Sequence, residues 1–486
     1  MNQDRVAVVV DGHNYSYADL DRASRSVAGA LLGAGEDLQE ARVAFLIPPG
    51  FEYAAVQRGI WRAGGIAVPL AVSHPPPELE YVIRDAGAQF VVGDPAWQSV
   101  LARIAEQAGS RFVPMSDALV AEPRERLPHV GAQRRAMIVY TSGTTGRPKG
   151  VVTTHAILGA EIGAMIEAWE WRPTDRMLLT LPLHHAHGIM NGLLSAFAVH
   201  AICEILPAFD ALTVWERLRS GEITVFTAVP TIYHRLITAW DAAPGVVRNA
   251  WSAGVRQARL MMCGSAALPV QTLARWREMT GHTLLERYGM TETGMILSNP
   301  LRGERRPGFV GNPMPGVEVQ LVDEAGQLVP DGAAGEVEVR GPLVFLEYWG
   351  RPADTKAAFR EGWFRTGDTA VRESGAYRLL GRSTVDIIKT GGFKVSALEI
   401  EDVLRLHPAV AECAVVGVAD EEWGERVAAA IELRPRAALS LQELQQWAKD
   451  RLAPYKVPRA IRTVHALPRN AVGKVMKPEV AALFAA

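Results

Sequence analysis

The stretch Tyr140-Thr-Ser-Gly-Thr-Thr-Gly-Arg-Pro-Lys-Gly150 says most about the fold. It follows a β-branched run at 136–140 and precedes an apolar helical pattern. Its hydroxyls and unobstructed backbone N–H groups can surround phosphate oxygens, and Lys149 adds a positive charge. The spacing Gly143-x-x-Gly146-x-x-Lys149 differs from the G-x-x-x-x-G-K-[ST] loop of nucleotide-hydrolysing motors, which disfavours a kinase or a motor. The sequence therefore predicts a phosphate-binding loop of another class.

The segments around this loop indicate a layered α/β protein. From residue 1 to about 380, β-branched runs such as 223–228 alternate with amphipathic stretches such as 210–219. This alternation is typical of α/β units with parallel strands. Two shorter alternating stretches, 317–322 and 335–340, are framed by turns and predict an antiparallel β subdomain. The expected fold class is α/β, in an α+β multidomain chain.

The C-terminal part of the chain has a different pattern. Two capping-box sequences, Ser396-Ala-Leu-Glu399 and Ser440-Leu-Gln-Glu443, each predict the start of a helix. Strand candidates lie near Phe393 and at 411–418, 427–433 and 460–465, which gives the order β-α-β-β-α-β. We expect a large domain at 1–384 and a small mobile lid domain at 385–486.

Composition and charge exclude several classes of protein. The chain has 486 residues, with 51 Lys and Arg against 53 Asp and Glu and a formal net charge of -2. There is no overall positive field for nucleic acid or an anionic membrane, so any anion must bind locally. With 48% hydrophobic and 21% charged residues, the composition is that of an ordinary globular protein.

Cysteine usage and the N-terminus point to a reducing compartment. Cys203, Cys263 and Cys413 are far apart and show no CxxC spacing, which argues against a disulfide framework and a zinc site. The N-terminal segment shows no signal or transit pattern, so we expect a cytoplasmic location. The longest uncharged stretch, 188–203, is shorter than the roughly 20 residues of a membrane span and predicts a buried core helix.

Further motifs follow the loop in a fixed order, and with it they resemble the signature of the acyl-adenylate-forming superfamily of acyl-CoA synthetases, adenylation domains and luciferases. They are Gly264-Ser-Ala-Ala-Leu-Pro269, Arg287-Tyr-Gly-Met-Thr-Glu292, Trp363-Phe-Arg-Thr-Gly-Asp368, Gly381-Arg382 and Pro468-Arg-Asn-Ala-Val-Gly-Lys474. Within the superfamily the chain is most similar to malonyl-CoA and methylmalonyl-CoA synthetases. That similarity rests on longer strings such as Leu181-Pro-Leu-His-His-Ala-His-Gly188 and Ala228-Val-Pro-Thr-Ile-Tyr-His-Arg235.

The resemblance implies ATP and CoA as co-substrates and Mg2+ as cofactor. A carboxylate must attack the α-phosphate of ATP, and both reactants are anions, so the site needs cations and oriented donors. Glu292 and Thr145 would hold the Mg2+. The implied catalytic residues are Lys474, Glu292 and Thr291. The implied ATP and AMP contacts are Thr141, Ser142, Gly143, Thr144, Thr145, Lys149, Gly264, Ser265, Ala266, Tyr288, Gly289, Asp368 and Arg382. The CoA contacts would be Lys389, Gly391 and Gly392.

The acyl pocket decides the class of acid. In the family, arginines at the positions of Arg235 and Arg287 bind the carboxylate that is not activated, and His185 lies near the pocket. A guanidinium binds a carboxylate bidentately, and an unpaired one in a closed pocket is costly. We therefore expect a short dicarboxylate, malonate or methylmalonate. Arg235 also fits a surface position on a helix. His184, His185 and His187 lack the accompanying ligands of a metal site.

Several alternatives stay open at this stage. A medium-chain or aromatic acyl-CoA ligase would share the nucleotide site, and a stand-alone adenylation enzyme would load a carrier protein. A catalytically inactive nucleotide sensor is disfavoured because Glu292, Asp368 and Lys474 are all present. The expected partners are small molecules, with no nucleic acid and no membrane span, and the protein is expected to be a monomer or homodimer. The hinge falls at 384–386, because the spacer before Gly392 is one residue longer than in many relatives.

Overall fold

The computed structural model describes residues 4–141, 147–382, 385–390, 393–420, 422–470 and 473–484. The helices are α1 (Tyr17–Leu32), α2 (Phe51–Arg62), α3 (Pro76–Asp85), α4 (Gln98–Ala108), α5 (Met115–Val120), α6 (His155–Trp169), α7 (Ser195–Ala198), α8 (Ala211–Arg219), α9 (Pro230–Ala242), α10 (Gly245–Val255), α11 (Val270–Thr280), α12 (Pro352–Ala357), α13 (Ala397–Leu404), α14 (Leu441–Lys449) and α15 (Lys477–Ala482). Short 3-10 helices lie at Pro95–Trp97 and Pro454–Lys456, and a π-helix lies at His187–Leu194.

The strands are β1 (Val6–Val10), β2 (His13–Ser16), β3 (Arg42–Leu46), β4 (Ile66–Pro69), β5 (Phe90–Gly93), β6 (Arg111–Pro114), β7 (Arg135–Thr141), β8 (Lys149–Thr154), β9 (Arg176–Leu179), β10 (Ile202–Ile205), β11 (Val225–Ala228), β12 (Leu260–Cys263), β13 (Leu285–Met290), β14 (Gly294–Ser298), β15 (Asn312–Pro313), β16 (Glu318–Val322), β17 (Ala334–Arg340), β18 (Glu347–Tyr348), β19 (Phe359–Arg360), β20 (Trp363–Glu373), β21 (Ala376–Arg382), β22 (Ile387–Thr390), β23 (Phe393–Ser396), β24 (Val410–Asp420), β25 (Gly424–Leu433) and β26 (Ala460–Val464).

Two large mixed sheets build the first domain. One has the order β15-β14-β13-β12-β11-β9-β10-β1-β2, and the other has the order β18-β8-β7-β4-β3-β5-β6. The strands from β1 through β10, β9, β11 and β12 to β13 pair in parallel. Strands β11 and β12 are buried along their whole length, as expected when helices cover both faces of a parallel sheet. The predicted α/β class is confirmed.

The glycine-rich loop lies in a different context from the one the sequence suggested. Strand β7 precedes it as expected, but β8 follows it and pairs with β7 in antiparallel fashion before α6 begins. The segment after the loop is therefore a strand first and the apolar helix second. Gly150 in β8 is required there, because a Cβ would lie 2.7 Å from the Ile138 side chain.

The two smaller sheets contain the strands that the sequence predicts for them. β16 and β17 pair in antiparallel register within a sheet of order β16-β17-β20-β19, which also contains β21. The C-terminal strands β22 to β26 form a separate sheet, with α13 and α14 between them in the predicted order. The structure adds strand β22 before this unit and helix α15 after it. The boundary at 384/385 stays a prediction.

The two predicted capping boxes differ in outcome. At α14, Ser440 and Glu443 each bond the backbone of the other, so the box is complete. At α13, the Ser396 hydroxyl caps the Glu399 N–H, but the Glu399 carboxylate binds Lys456 Nζ at 2.6 Å instead of completing the box. The long-range ion pair takes the place of the local hydrogen bond.

The uncharged stretch at 188–203 is only partly helical. It contributes most of the π-helix and all of α7, and Cys203 lies in strand β10. The prediction of one continuous core helix is therefore wrong, because the chain turns after Ala198 to enter the sheet. Across the described residues, we find no helix with the length and apolar character needed to cross a membrane.

The C-terminal domain contacts the large domain through the connecting segment. The Ser396 hydroxyl donates to the Leu380 carbonyl, and the Ala397 N–H donates to the Asp386 carbonyl at 2.7 Å. A second contact is made by Gly473, which lies against helix α9 so that an added Cβ would be 3.0 Å from Thr231 Oγ1. The turn that ends in Lys474 is thus held close to the large domain.

Candidate active site

Three neighbouring parallel strands position the first group of side chains. β11, β12 and β13 end at the same edge of the sheet, where open α/β sheets bind their ligands. Thr227 lies near the end of β11, Gly264 follows β12, and Arg287 lies in β13. The topology therefore brings together residues that lie up to 60 positions apart in the sequence, from Thr227 to Arg287.

Arg287 is the buried centre of this group. Only 2% of the residue is exposed, and its guanidinium donates to His187 Nε2. Gly264 makes the approach possible, because a Cβ there would lie 2.5 Å from Arg287 Nη1. Among the described residues the guanidinium has no carboxylate partner, and Arg287 Nε has no hydrogen bond. Burial lowers the pKa of Arg287 to about 10, so the side chain remains a cation at neutral pH.

His187 is held as a neutral imidazole. Because a guanidinium can only donate, His187 Nε2 must accept, and the ring proton is assigned to Nδ1. Nδ1 lies 2.9 Å from Ser265 Oγ and therefore donates to it. Thr227 Oγ1 is 2.8 Å from Nε2 on the other side of the ring. Burial and then the charge of Arg287 hold the pKa of His187 well below its usual value.

A second group of side chains includes Tyr288, the residue after Arg287 in β13. The Tyr288 hydroxyl donates to Asp368 Oδ2, and Arg382 Nε binds Asp368 Oδ1 at 3.1 Å. Asp368 and Arg382 are direct neighbours across the β20–β21 ladder. The structure thus brings together three residues predicted to contact the adenosine part of ATP.

Lys474 reaches this second group from the small domain. Its ammonium interacts electrostatically with Arg382, Asp386 and Asp368. Desolvation in the cleft, and then the charge of Arg382, lower its pKa, although the side chain keeps contact with solvent. A lysine from the lid therefore lies beside the predicted nucleotide site.

Glu292 is a buried carboxylate in the turn after β13, next to Thr291. Its Oε1 accepts a hydrogen bond from the Tyr348 hydroxyl at 3.0 Å. Burial raises the pKa of Glu292, which indicates that its negative charge is poorly compensated by the protein. A hard divalent cation would supply this compensation, so the residue fits Mg2+. Within the described residues, no three His, Cys, Asp or Glu side chains form a cluster able to hold a metal ion.

Most of the glycine-rich loop lies outside the described residues. Ser142, Gly143, Thr144 and Thr145 lie outside the described residues, as do Gly391 and Gly392. Thr141 and Lys149 face each other at the mouth of the β7–β8 hairpin, and Lys149 Nζ binds Asp354 at 2.8 Å. Any phosphate contact of Lys149 must compete with this ion pair.

The other residues predicted to contact ATP, the acid or CoA lie in different local environments. Ser265 adopts a φ of 68°, Ala266 beside it is exposed, and Gly289 packs tightly on the Gly294 carbonyl. The His185 ring lies 4.1 Å from the His184 ring at an angle of 47°, and burial lowers the pKa of His185 to about 4. Lys389 is an exposed residue of β22 whose N–H donates to Glu425.

Arg235 does not join Arg287. It lies on the exposed side of α9, with its guanidinium 6.0 Å from the centre of the Phe209 ring. Among the described residues no hydrogen bond or ion pair links it to the buried group. Its predicted role as a second arginine for the acid stays a prediction.

Comparisons with known proteins identify the family of the chain. The family model described as AMP-binding enzyme matches residues 1–349, and the model for the AMP-binding enzyme C-terminal domain matches residues 399–474. This chain belongs to the AMP-binding enzyme family. The resemblance to acyl-adenylate-forming enzymes seen in the motifs is thereby confirmed.

Relatives of this AMP-binding enzyme span almost its whole length. The mitochondrial malonate–CoA ligase of Homo sapiens is 43% identical over 512 residues, covering 98% of this chain and 89% of that protein. The malonate–CoA ligase of Arabidopsis thaliana is 40% identical over 524 residues, covering 98% and 86%. The ATP-bound MatB of Rhodopseudomonas palustris has a TM-score of 0.93 at 34% identity, covering 99% of this chain and 96% of that chain. Because the human relative is mitochondrial, the cytoplasmic location stays a prediction.

Three residues of the site were not singled out by the sequence. The sequence does not distinguish His187 from its neighbours, and the resemblance indicates His185 as the histidine of the acyl pocket. Thr227 is an unremarked residue of a buried strand, and Tyr348 lies in the two-residue strand β18. The signals available were weak, because each acts through a partner more than 35 residues away in the numbering of the chain.

A buried carboxyl behind the Glu292 turn gives a prediction about pH and stability. Glu161 of α6 is 4% exposed, packs against Gly294, and has no hydrogen bond to Oε1. Burial raises its pKa to about 8, whereas the unfolded chain releases this proton near 4.5. Between about pH 5 and pH 8 the wild type should therefore lose about 1.4 kcal/mol of stability per pH unit relative to Glu161→Gln.

Urea denaturation of both proteins at a series of pH values measures this difference. The exposed Glu167 on the same helix provides the matched substitution, Glu167→Gln. A difference between wild type and Glu161→Gln that does not change over this pH range would contradict a protonated, buried Glu161.

Proposed function

We propose that this AMP-binding enzyme is an ATP-dependent acid–CoA ligase that activates a short dicarboxylate, malonate or methylmalonate. The observation that carries the proposal is the buried Arg287 guanidinium, which has no carboxylate partner among the described residues. A fatty acid or an aromatic acid with one carboxylate would leave this charge uncompensated once its own carboxylate had reacted. A second carboxylate on the acid compensates it bidentately.

The arrangement around Arg287 supports binding of the carboxylate that does not react. His187 holds the guanidinium from one side as a neutral acceptor, and so adds no competing positive charge. Ser265, fixed by His187, lies in the segment after β12 next to Gly264. A three-carbon diacid bound at Arg287 through one carboxylate would keep its other carboxylate free to react with ATP.

In the first step, an oxygen of the free carboxylate attacks the α-phosphorus of ATP, and pyrophosphate leaves. Lys474 is placed to neutralise charge as the two anions meet, because it lies beside Arg382 and Asp368. Asp368, oriented by Tyr288 and Arg382, would accept hydrogen bonds from the ribose hydroxyls. Glu292 would hold Mg2+, which when bound offsets the negative charge of the phosphates.

In the second step, the thiolate of CoA attacks the carbonyl carbon of the acyl-adenylate, and AMP leaves with the bonding electron pair. This step needs a different set of groups at the same carbon, so the lid must change its position after the first step. The face of β22 that carries Lys389 would then contact CoA. Rotation at 384–386 removes Lys474 from the site as it brings this face in.

The test is a pyrophosphate-release assay with malonate, methylmalonate, octanoate and benzoate, each with ATP and Mg2+. Malonate or methylmalonate should give a kcat/KM at least about 100-fold above octanoate, since an unpaired buried charge costs several kcal/mol. Addition of CoA should convert the activated acid to its CoA thioester. Preference for octanoate or benzoate would show that the enzyme activates acids with a single carboxylate and would overturn the proposal. Transfer to a carrier protein but not to CoA would replace the proposed acceptor.

A further inference from the structure

A buried lysine beyond Lys474 has contacts that the two-step chemistry does not use. Lys477 is the first residue of α15, and 11% of its side chain is exposed. Its ammonium binds Glu401 of α13 and donates to the Val415 carbonyl of β24 at 2.5 Å. It also lies 3.5 Å from Asp386 Oδ1, in the segment that connects the two domains.

Asp386 is shared by the two domains. Its Oδ2 accepts a hydrogen bond from the Arg382 N–H at 3.0 Å, and Arg382 is the last residue of the large-domain strand β21. Its Oδ1 faces Lys477, which belongs to the lid. The connector packs tightly here, because Gly381 has a φ of 114° and a Cβ on it would lie 2.2 Å from Asp386 Cβ.

The turn that carries Lys474 is attached to the same point. Lys474 N–H donates to Asn470 Oδ1, and the Met476 N–H donates to the Pro468 carbonyl, which closes the turn just before Lys477. Lys477 therefore fixes the C-terminal end of this turn to the lid core and to the connector. A rotation of the lid about the connector would separate Lys477 from the Arg382 N–H, and Asp386 would then lose one of these two contacts.

We propose that Lys477 is a positioning residue for acyl-adenylate formation, which clamps the Lys474 turn to the domain connector through Asp386. The clamp exists in the lid position that places Lys474 beside Arg382, and it must open for the lid to rotate. This inference rests on the proposed function, in which Lys474 serves the first step. Lys477 itself touches neither the acid nor ATP.

The experiment separates the two half-reactions in Lys477→Met, with Lys449→Met at an exposed lysine of the lid as the matched control. Acid-dependent pyrophosphate release should fall about 10- to 100-fold, because even a small displacement of a catalytic group such as Lys474 lowers the rate strongly. The fall should be in kcat, with the KM values for ATP and the acid little changed. Conversion of preformed malonyl-AMP and CoA to malonyl-CoA should continue at close to the wild-type rate. Lys477→Arg should restore most of the first half-reaction.

Asp386→Asn tests the same clamp without removing the buried lysine. It should reproduce the selective loss, and the double variant Lys477→Met/Asp386→Asn should lose little more than either single variant. Equal loss of both half-reactions, with a lower melting temperature, would assign Lys477 a purely structural role and overturn the proposal. So would unchanged adenylation in both single variants.

The outcome for the wild type distinguishes this inference from the proposed function. If the wild type activates an acid other than malonate, the proposed substrate is wrong, and the same half-reactions are measured with that acid. If the wild type activates malonate and Lys477→Met does so equally well, the clamp alone is wrong.

Discussion

Lys474→Met should lose about 100- to 1,000-fold in malonate-dependent pyrophosphate release, which is the loss typical of removing one donor that stabilises charge in a transition state. In the described lid position the ammonium of Lys474 interacts electrostatically with the positive Arg382 and the negative Asp368. Methionine keeps the length of the side chain but removes the charge that offsets two approaching anions. The effect should appear in kcat, because the charge matters most when the reacting oxygen meets the α-phosphorus.

The second half-reaction provides the internal control for Lys474. Malonyl-AMP already contains the bond that Lys474 helps to form, so its reaction with CoA should proceed largely unaffected in Lys474→Met. Rapid quenching and chromatography of malonyl-AMP, AMP and malonyl-CoA measure both steps in one protein preparation. Equal loss in both steps would show that the lysine supports the lid as a whole. Undiminished pyrophosphate release would exclude it from the chemistry.

Local patterns predicted much of the fold because the decisive information is local. Strand β11 lies within the predicted β-branched run at 223–228, and like its neighbour β12 it is short and buried along its whole length, as expected for a strand covered on both faces. The Ser440 capping box is complete within four residues and appears as predicted. The box at Ser396 fails because Lys456, more than 50 residues later, binds Glu399. A long-range ion pair of this kind leaves no trace in the local pattern.

The site shows the same division. The order of the motifs was enough to predict that Tyr288, Asp368 and Arg382 lie together, since each belongs to a motif that the resemblance assigns to the nucleotide site. The sequence could not show that His187, and not His185, contacts Arg287, because His187 begins a π-helix. A π-helix has a wider turn than the α-helix, so the spacing rules that assign residues to a helix face do not apply. The exposed position of Arg235 depends likewise on how α9 packs against its neighbours.

Arg287→Leu should lower kcat/KM for malonate by about 30- to 4,000-fold, which corresponds to the 2–5 kcal/mol lost when one partner of a buried charge pair is removed. Leucine keeps an apolar volume beside Gly264 and removes both the charge and the donor to His187. The activity towards octanoate should rise relative to malonate, because a monocarboxylate no longer leaves a buried cation unpaired. Arg287→Lys should lie between the two, since it keeps the charge without the bidentate geometry.

Two controls decide whether the Arg287 effect belongs to the acid. Arg277→Leu removes an exposed arginine from the neighbouring helix α11 and should leave malonate turnover unchanged. ATP binding, measured by calorimetry in Arg287→Leu, should stay close to wild type, because the nucleotide group around Asp368 does not contact the guanidinium. Malonate turnover near the wild-type level in Arg287→Leu would remove the basis for a dicarboxylate substrate. Loss of malonate activity with loss of ATP binding would instead place Arg287 in the support of β13. Arg287 is therefore assigned to acid specificity only by a selective loss. In that outcome, Arg287→Leu still binds ATP, and only the second carboxylate of the acid has lost its partner.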